Sequence, residues 1–473
     1  MAENSDSFDV VILGAGNGGY GCAFRASQLG LSVAMVERDK VGGTCLHRGC
    51  IPTKALLHSA ELADEIRHSG DFGVLTQEPQ VDWGKVLNFK ESVVSRMHSG
   101  VQALVKKNKV ELVSGSGRLA DPKTVVVQTS DGERSLRASK AVVLASGSYA
   151  RDLPFIQADG DKVHNSFYGL QAEDIPSSVL IVGGNYIGLE FASIYRSFGT
   201  DVTVLEMLDS IAAAEDHDIS KELLKALQDR GIKFKLGVEV SGARTTDSGV
   251  EVEVASDGGD ERLTADRLFL AVGRGPNSEG LGYEEAGIKL DRGFVVVDQA
   301  FKTSVDGVYA IGDLVTVQGY EGVHPQLAHV ASLEGMKVAE TIAGEDVMPV
   351  DYVNVPHVIY CQPEVAAVGL TEQAAREAGL DVVTKKYPFA HLARAVMLGG
   401  GQGFVKTVAQ KDGAAVGVHI VGPHASDLIS EAMLITNWEA WPSEVAEFIH
   451  PHPTLSEAIG ETFLALAGKP LHG

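Results

Sequence analysis

Two cysteines five positions apart, Cys45 and Cys50, stand in the segment Gly42-Gly43-Thr44-Cys45-Leu46-His47-Arg48-Gly49-Cys50-Ile51-Pro52-Thr53-Lys54. The chain has 473 residues and only four cysteines, the others being Cys22 and Cys361, which is too few for a disulfide framework of the secreted kind. A bridge across so short a span closes a small ring and removes little chain entropy, so stapling is a weak reason for the pair. Exchange with a substrate disulfide is a stronger one. Two unpaired buried thiols are the alternative, since isolated cysteines often pack as small apolar groups.

A second candidate lies near the other end, in His450-Pro451-His452-Pro453-Thr454 with Glu457. A dithiol must lose a proton before its sulfur attacks, and imidazole is the side chain whose ordinary pKa suits that task at neutral pH. A carboxylate on the other ring nitrogen would fix the tautomer and favour the imidazolium. The same residues also read as a helix start: Thr454 and Glu457 make a T-x-x-E capping box, and the prolines suit a first turn.

The elements that must position this chemistry are legible around it. Phe8 to Leu13 is a short apolar run rich in β-branched residues, followed by Gly14-Ala15-Gly16-Asn17-Gly18-Gly19 and a helical stretch from Tyr20 to Leu29. In such a strand, turn and helix, Gly14 allows the tight turn, Gly16 lets a pyrophosphate approach the backbone, and Gly19 lets helix pack on strand. A second strand, Leu31 to Val36, runs into Glu37, where an acid accepts hydrogen bonds from an adenosine ribose. The unit recurs: Val179 to Val182 leads into Gly183-Gly184-Asn185-Tyr186-Ile187-Gly188 and a helix, and Val202 to Leu205 runs into Glu206. Closing strands are expected at Ala141 to Ser148 and Leu268 to Arg274, completing two separate Rossmann-like sheets. Between the first glycine turn and its closing strand helices are expected from Lys54 to about His68 and from about Ser92 to Asn108, the latter with Val94, Met97, Val101, Leu104 and Val105 on one face. Toward the carboxy end Val416 to Gly422 reads as a strand, and Ser426 to about Ala440 as a helix with Leu428, Ile429, Ala432 and Ile435 on one face.

Composition sets the frame. A chain of 473 residues exceeds what one core usually serves, and 44% hydrophobic with 22% charged residues is ordinary for globular protein. The net charge of −23 would repel a polyanion, so no nucleic-acid partner is expected, and no membrane class is indicated. Met1 to Phe8 is polar and the next apolar run is short, which reads against a secretion signal and for a reducing cytoplasm.

Taken together, the dithiol segment, the two fingerprints, Val272-Gly273-Arg274-Gly275-Pro276-Asn277, Tyr309-Ala310-Ile311-Gly312-Asp313 and His450 to Thr454 resemble the class I pyridine nucleotide-disulfide oxidoreductases, nearly end to end. The resemblance implies an α/β fold: two Rossmann-like dinucleotide-binding domains plus a central domain and an α+β carboxy-terminal dimerisation domain. Its boundaries would be 1–150 for an FAD-binding domain with the dithiol, 151–277 for an NAD-binding domain, 278–348 for a central domain completing the FAD site, and 349–473 for the interface domain. It implies a homodimer with shared active sites. Cys45 would be the interchange thiol and Cys50 the flavin-side thiol, because attack needs an exposed thiolate whereas electron passage needs a sulfur packed on the flavin. His452 would be the base and Glu457 its orienting carboxylate. Gly14, Gly16, Gly19, Glu37, Lys54, Gly117, Gly147, Asp313, Ala328 and His329 would serve FAD, with Lys54 beside the flavin and paired to Glu190. Gly183, Asn185, Gly188, Glu190, Glu206 and Gly273 would serve NAD. No metal site is read.

The implied reaction is oxidation of a protein-bound dihydrolipoyl group to lipoyl, electrons passing through Cys45-Cys50 and FAD to NAD. The partner would be a lipoyl-bearing carrier of a 2-oxo acid dehydrogenase or glycine cleavage complex. Glu206 favours NAD, since an acid pairs with a free 2′-OH and repels a 2′-phosphate. The alternatives are an NAD(P)H-dependent reductase of the glutathione or mycothiol type, and a structural flavoprotein subunit with vestigial redox activity. Several residues depart from the family pattern. Asn185 replaces the middle glycine, the stretch Leu314 to Gln326 is long and carries Tyr320 and His324, Leu392 replaces an asparagine, and Cys361 replaces a threonine. A long stretch there could cover the flavin, and Asn185 should crowd a pyrophosphate unless the position requires positive φ, which Asn tolerates best among non-glycine residues.

Overall fold

The computed structural model describes residues 5–256, 258–320 and 322–472; the first four residues of the polar start and Glu321 of the long stretch lie outside them. The chain forms two compact units, each assembled from three separated stretches. One comprises Met1–Pro52, Asn88–Arg151 and Gly273–Val350, the other Thr53–Leu87, Asp152–Val272 and Asp351–Gly473.

The first unit is built on a sheet whose parallel strands run, side by side, Glu111–Ser114, Val33–Glu37, Ser5–Leu13 and Gly132–Leu144. Two antiparallel strands, Thr124–Thr129 and Ser116–Asp121, extend it, and Val308–Ala310 adds to Gly132–Leu144 in parallel. Val10 sits between Val33 and Ala141 in register, and Val10, Val11 and Ile12 are fully buried. A strand covered on both faces reads as a continuous apolar run, which is why Val10 to Leu13 lacks alternation. On this sheet the helix Asn17–Gln28 meets the helix Ala328–Ala343 at small residues. A Cβ on Gly335 would lie 2.3 Å from the Gly18 carbonyl oxygen, so only glycine lets the two backbones approach.

In the second unit five parallel strands run Lys233–Lys235, Asp201–Leu205, Ser178–Val182, Arg267–Leu270 and Val163–Asn165. An antiparallel sheet of five, His357–Ile359, Glu364–Gly369, Ala415–Gly422, Phe404–Gln410 and Val382–Pro388, carries the helices Ala425–Asn437 and Glu457–Leu466. Ile429, Ala432 and Ile435 enter its core with Phe463 and Ile420, while Leu428 is partly buried at its edge.

Several elements differ from their expected bounds. The helix expected from Lys54 starts at Cys50, because Pro52 falls in its first turn, where a missing N–H costs nothing. The helix expected from Ser92 spans Trp83–Lys107, and of its expected apolar face only Val94 and Val105 are buried. Met97 and Leu104 remain 43% and 44% exposed, since periodicity selects a stripe but neighbours decide how much of it is covered. The first closing strand ends at Leu144 and the second at Leu270, before the small-residue turns they feed.

Candidate redox and nucleotide sites

In the first unit Gly14 adopts φ +110°, and a Cβ there would lie 2.2 Å from the Ala145 carbonyl oxygen; a Cβ on Gly19 would lie 1.9 Å from that of Gly14. Gly16 begins the helix Asn17–Gln28, and no side chain caps it. The Glu37 carboxylate accepts the Ala15 N–H at 3.0 Å and the Asp39 N–H at 3.0 Å, tying the turn to the end of the second strand. An uncapped helix start behind a glycine cradle presents N–H groups and positive potential outward, which is what a pyrophosphate requires. Gly117 serves packing: a Cβ there would strike Leu13 at 2.6 Å and Val36 at 2.9 Å. Gly147 and Gly273 have open space around them and φ of +70° and +101°, so glycine is required there by conformation.

The dithiol segment docks on this turn. A Cβ on Gly43 would fall 2.6 Å from the Gly16 Cα, so the start of the short helix Gly43–Arg48, which carries Cys45, touches the middle glycine of the fingerprint. Cys50 opens the next helix, and both cysteines are half-buried. Tyr20 faces them. Burial, reinforced by the Cys45 and Cys50 thiols, raises its phenol above the ordinary pKa, and its oxygen accepts the Asn17 amide at 2.8 Å. Arg274 reaches the same region: burial lowers its pKa, against the opposing pull of Asp313 and Cys50. Its Nε donates to the Ser148 hydroxyl at 2.7 Å, and that hydroxyl donates to the Asp313 carboxylate at 2.5 Å. Ala328 and His329 open the helix that follows.

In the second unit Lys54 is bonded to both oxygens of Glu190, at 2.8 and 2.9 Å, and lies 4.6 Å from the centre of the Tyr360 ring. Glu190 is buried and also accepts the Tyr360 N–H at 3.1 Å, so its charge is matched. Gly183 has φ +109°, a Cβ on Gly188 would lie 1.9 Å from the Gly183 oxygen, and Glu206 accepts the Gly184 and Leu208 N–H groups at 2.6 and 2.8 Å. Asn185 holds the middle position. Its φ is −111°, so no positive φ is demanded, and its side-chain oxygen accepts the Tyr186 N–H at 3.0 Å.

The two histidines of the His-Pro-His-Pro segment have different fates. His450 is 12% exposed and bonded to Glu431 at 2.6 Å, an interaction that raises its pKa; its ring packs where Gly460 has no Cβ. His452 is 73% exposed, with Nδ1 2.8 Å from Glu457 Oε1. The other Glu457 oxygen accepts the Thr454 N–H at 2.8 Å, whereas the Thr454 hydroxyl donates to the Pro451 carbonyl. Burial opposes ionisation of Glu457, yet the Thr454 N–H and His452 hold its pKa below the ordinary value. One carboxylate thus orients the imidazole and supplies half of a capping box.

Nothing in the sequence singles out Ser148 or Tyr360. Arg274 left a signal, a lone cation in a run of small and apolar residues, and Tyr20 left its place one residue past the fingerprint. Among the described residues no cluster of three or more His, Cys, Asp or Glu side chains is arranged to hold a metal ion.

Residues 8–335 match the pyridine nucleotide-disulphide oxidoreductase family, and residues 355–463 match that family's dimerisation domain. The chain belongs to this family. Over 98% of its length it is 43% identical to the dihydrolipoyl dehydrogenase of Bacillus subtilis, covering 99% of that protein. Over 99% it is 40% identical to the dihydrolipoyl dehydrogenase of Zymomonas mobilis, covering 100% of it. Among solved structures, LpdA from Mycobacterium tuberculosis superposes with a TM-score of 0.89 at 26% identity, over 98% of this chain and 99% of that one.

Proposed function

We propose that the chain is a dihydrolipoyl dehydrogenase, oxidising the dihydrolipoyl group of a carrier protein with NAD as acceptor. The observation that carries this reading is the docking of the Cys45–Cys50 segment, through Gly43, on the middle glycine of an open nucleotide turn. FAD would be held by Gly14, Gly16, Gly19, Glu37, Gly117, Gly147, Asp313, Ala328 and His329. NAD would be held by Gly183, Asn185, Gly188, Glu206 and Gly273. Bound there, the flavin supplies a two-electron relay and the nicotinamide a hydride acceptor.

The protein's own groups do the rest. One substrate thiol gives its proton to His452 Nε2, the nitrogen left available because Nδ1 is engaged by Glu457. Its thiolate attacks Cys45 of the Cys45–Cys50 disulfide, and Cys50 leaves as thiolate. The second substrate sulfur then displaces Cys45, so the substrate becomes a disulfide while two electrons remain on the protein's dithiol. Arg274, within electrostatic range of Cys50, would favour a thiolate there. The Lys54–Glu190 pair places a compensated cation on the same helix as Cys50, where it would favour negative charge on a reduced flavin. Glu206 has spare lone pairs for a ribose 2′-OH and would repel a 2′-phosphate. The dimerisation domain assembles two copies, and His452 is exposed as a residue completing the partner's site would be. Among the described residues no helix is long and apolar enough to cross a membrane; with few cysteines and a dithiol to keep in use, the enzyme works in the cytoplasm.

The test joins a turnover assay with dihydrolipoamide and NAD to an anaerobic NADH titration read at long wavelength, where thiolate-to-flavin charge transfer absorbs. Cys50→Ser should abolish the band and turnover while retaining FAD, and Cys45→Ser should abolish turnover alone. His452→Gln should slow turnover about a hundredfold to ten-thousandfold with the dimer intact. Ordinary turnover in both cysteine variants would sink the proposal.

A further inference from the structure

The stretch after Asp313 is anchored at both ends. Its first part, Val315–Val317, is a strand parallel to Phe294–Val297, and its last part folds back on the turn it left. Val323 is 93% exposed, whereas its neighbour His324 is 7% exposed, so the chain dives inward between them. There His324 Nε2 lies 2.7 Å from Glu334 Oε1. Glu334, on the helix Ala328–Ala343, is fully buried, and its second oxygen accepts the Gly312 N–H at 2.7 Å. Two residues beyond His324, the Gln326 amide donates to the Asp313 carbonyl oxygen at 3.1 Å.

The returning segment therefore grips successive backbone groups of one turn, the Gly312 N–H through Glu334 and the Asp313 C=O directly. A buried carboxylate must have its charge answered, and a donor on one oxygen fixes where the other points. Gly312 has φ +73°, a conformation that glycine visits without itself choosing it over others, so outside contacts must hold it. The carboxylate that follows is presented by that backbone and steadied by Ser148.

We infer that His324 and Gln326 form a clasp that sets the orientation of the Gly312–Asp313 turn toward the flavin, and are positioning residues of the flavin site. The inference rests on the proposed role of Asp313 in holding FAD. It gives the long stretch a task other than covering the flavin.

The experiment measures, on the purified holoenzyme, the rate of FAD release in mild chaotrope by flavin fluorescence, together with the visible circular dichroism of the bound flavin. His324→Ala should release FAD about tenfold faster, the scale of one hydrogen bond to a charged group, and should alter the dichroism. His324→Gln, whose amide can still donate to Glu334, should recover most of the parent rate. Gln326→Ala should release FAD about threefold faster, and Val323→Ala at the parent rate. Asp313→Asn separates the two readings. If it releases FAD no faster than the parent, the flavin role of Asp313 fails. If it is faster while His324→Ala and Gln326→Ala match the parent in rate and dichroism, the clasp is overturned and the flavin site stands. Should His324→Ala not fold, His324→Gln with a parent-like rate and Gln326→Ala with a faster one support the clasp, and a parent-like Gln326→Ala overturns it.

Discussion

The turns at Gly14 and Gly183 are built from the same bonds and part company at one residue. Their first glycines share a φ of +110° and +109°, and a Cβ on either third glycine would meet the first one's oxygen at 1.9 Å. Glu37 and Glu206 each accept the N–H of the turn's second residue and an N–H two residues downstream of themselves. At the middle position Gly16 has the Gly43 Cα within 3.8 Å of where a Cβ would stand, and its helix start is uncapped. Asn185 holds the same position with ordinary extended backbone and caps its own helix. The middle glycine is thus not demanded by φ in either turn, since Gly16 itself has φ −74°. In the first turn a Cβ there would make only an ordinary contact with Gly43, and the glycine leaves the helix start open; in the second the Asn185 side chain takes up the Tyr186 N–H, a donor that a pyrophosphate would use.

The sharpest way to break this comparison is to add one methyl to each third glycine. A Cβ at 1.9 Å from a carbonyl oxygen must displace backbone by about an ångström, a misplacement that can cost about a hundredfold in rate. Gly19→Ala should yield protein that loses FAD on purification. Gly188→Ala should keep FAD and its reduction by dihydrolipoamide, but lose about a hundredfold in kcat/KM for NAD. Stopped-flow flavin reduction and steady-state NAD dependence distinguish them, and loss of FAD from Gly188→Ala would mean that the two turns do not serve separate nucleotides.

A smaller change tests the difference itself. Asn185→Gly frees the Tyr186 N–H and should lower the NAD Michaelis constant severalfold, leaving the dithiol half-reaction unchanged. A few tenths of a kcal/mol of stability would be lost with the cap, about what Asn to Gly costs at a helix start. An unchanged NAD constant would show that the self-cap is displaced without cost.

The smallest effect lies in a charge cluster of the second unit. Lys406, 2% exposed, contacts Asp216, Asp218 and Glu372 at 2.9, 2.7 and 2.8 Å. Hydrogen bonds from Lys406 and Arg376 lower the pKa of Glu372; Asp216 and Asp218 are lowered too, burial opposing and the lysine contacts prevailing. Because these folded values lie below the unfolded ones, the stabilisation is complete above about pH 4 to 5 and fades as pH falls through the folded values. Urea midpoints should drop on acidification below that point, and Glu372→Gln should lessen the drop. A parallel acid profile for parent and variant would remove Glu372 from the account.

How much was legible depended on the range of the interaction. Both fingerprints, their terminal acids and the dithiol could be read because each is a pattern within one short segment. Which branch of the Asn185 expectation applies was not legible, because φ at a turn is set by where the following helix starts; the negative φ leaves the crowding branch. The T-x-x-E pattern was half right, since Glu457 bonds the Thr454 N–H while the Thr454 hydroxyl turns to Pro451. Met97 and Leu104 fit the helical period and stay exposed, for a period carries no information about what covers it. The replacements at Leu392 and Cys361 are both buried, and nothing in the structure explains their choice over the family residues.

The sequence by itself determined the repeated strand, glycine turn and helix, the carboxylate ending each second strand, the spacing of Cys45 and Cys50, and the His-Pro-His-Pro segment ahead of Glu457. Those are local, written in steric permission and short-range hydrogen bonding. Only the tertiary structure decided that Gly43 meets Gly16, that Tyr20 comes within electrostatic range of both cysteines and Arg274 of Cys50, that Ser148 links Arg274 to Asp313, and that His450 is half-buried on Glu431 while His452 is left exposed. It alone turned His324 inward onto Glu334. Each of these joins segments distant in the chain, and such pairings follow from which backbones can approach and which buried charges must be answered, quantities that no single segment contains.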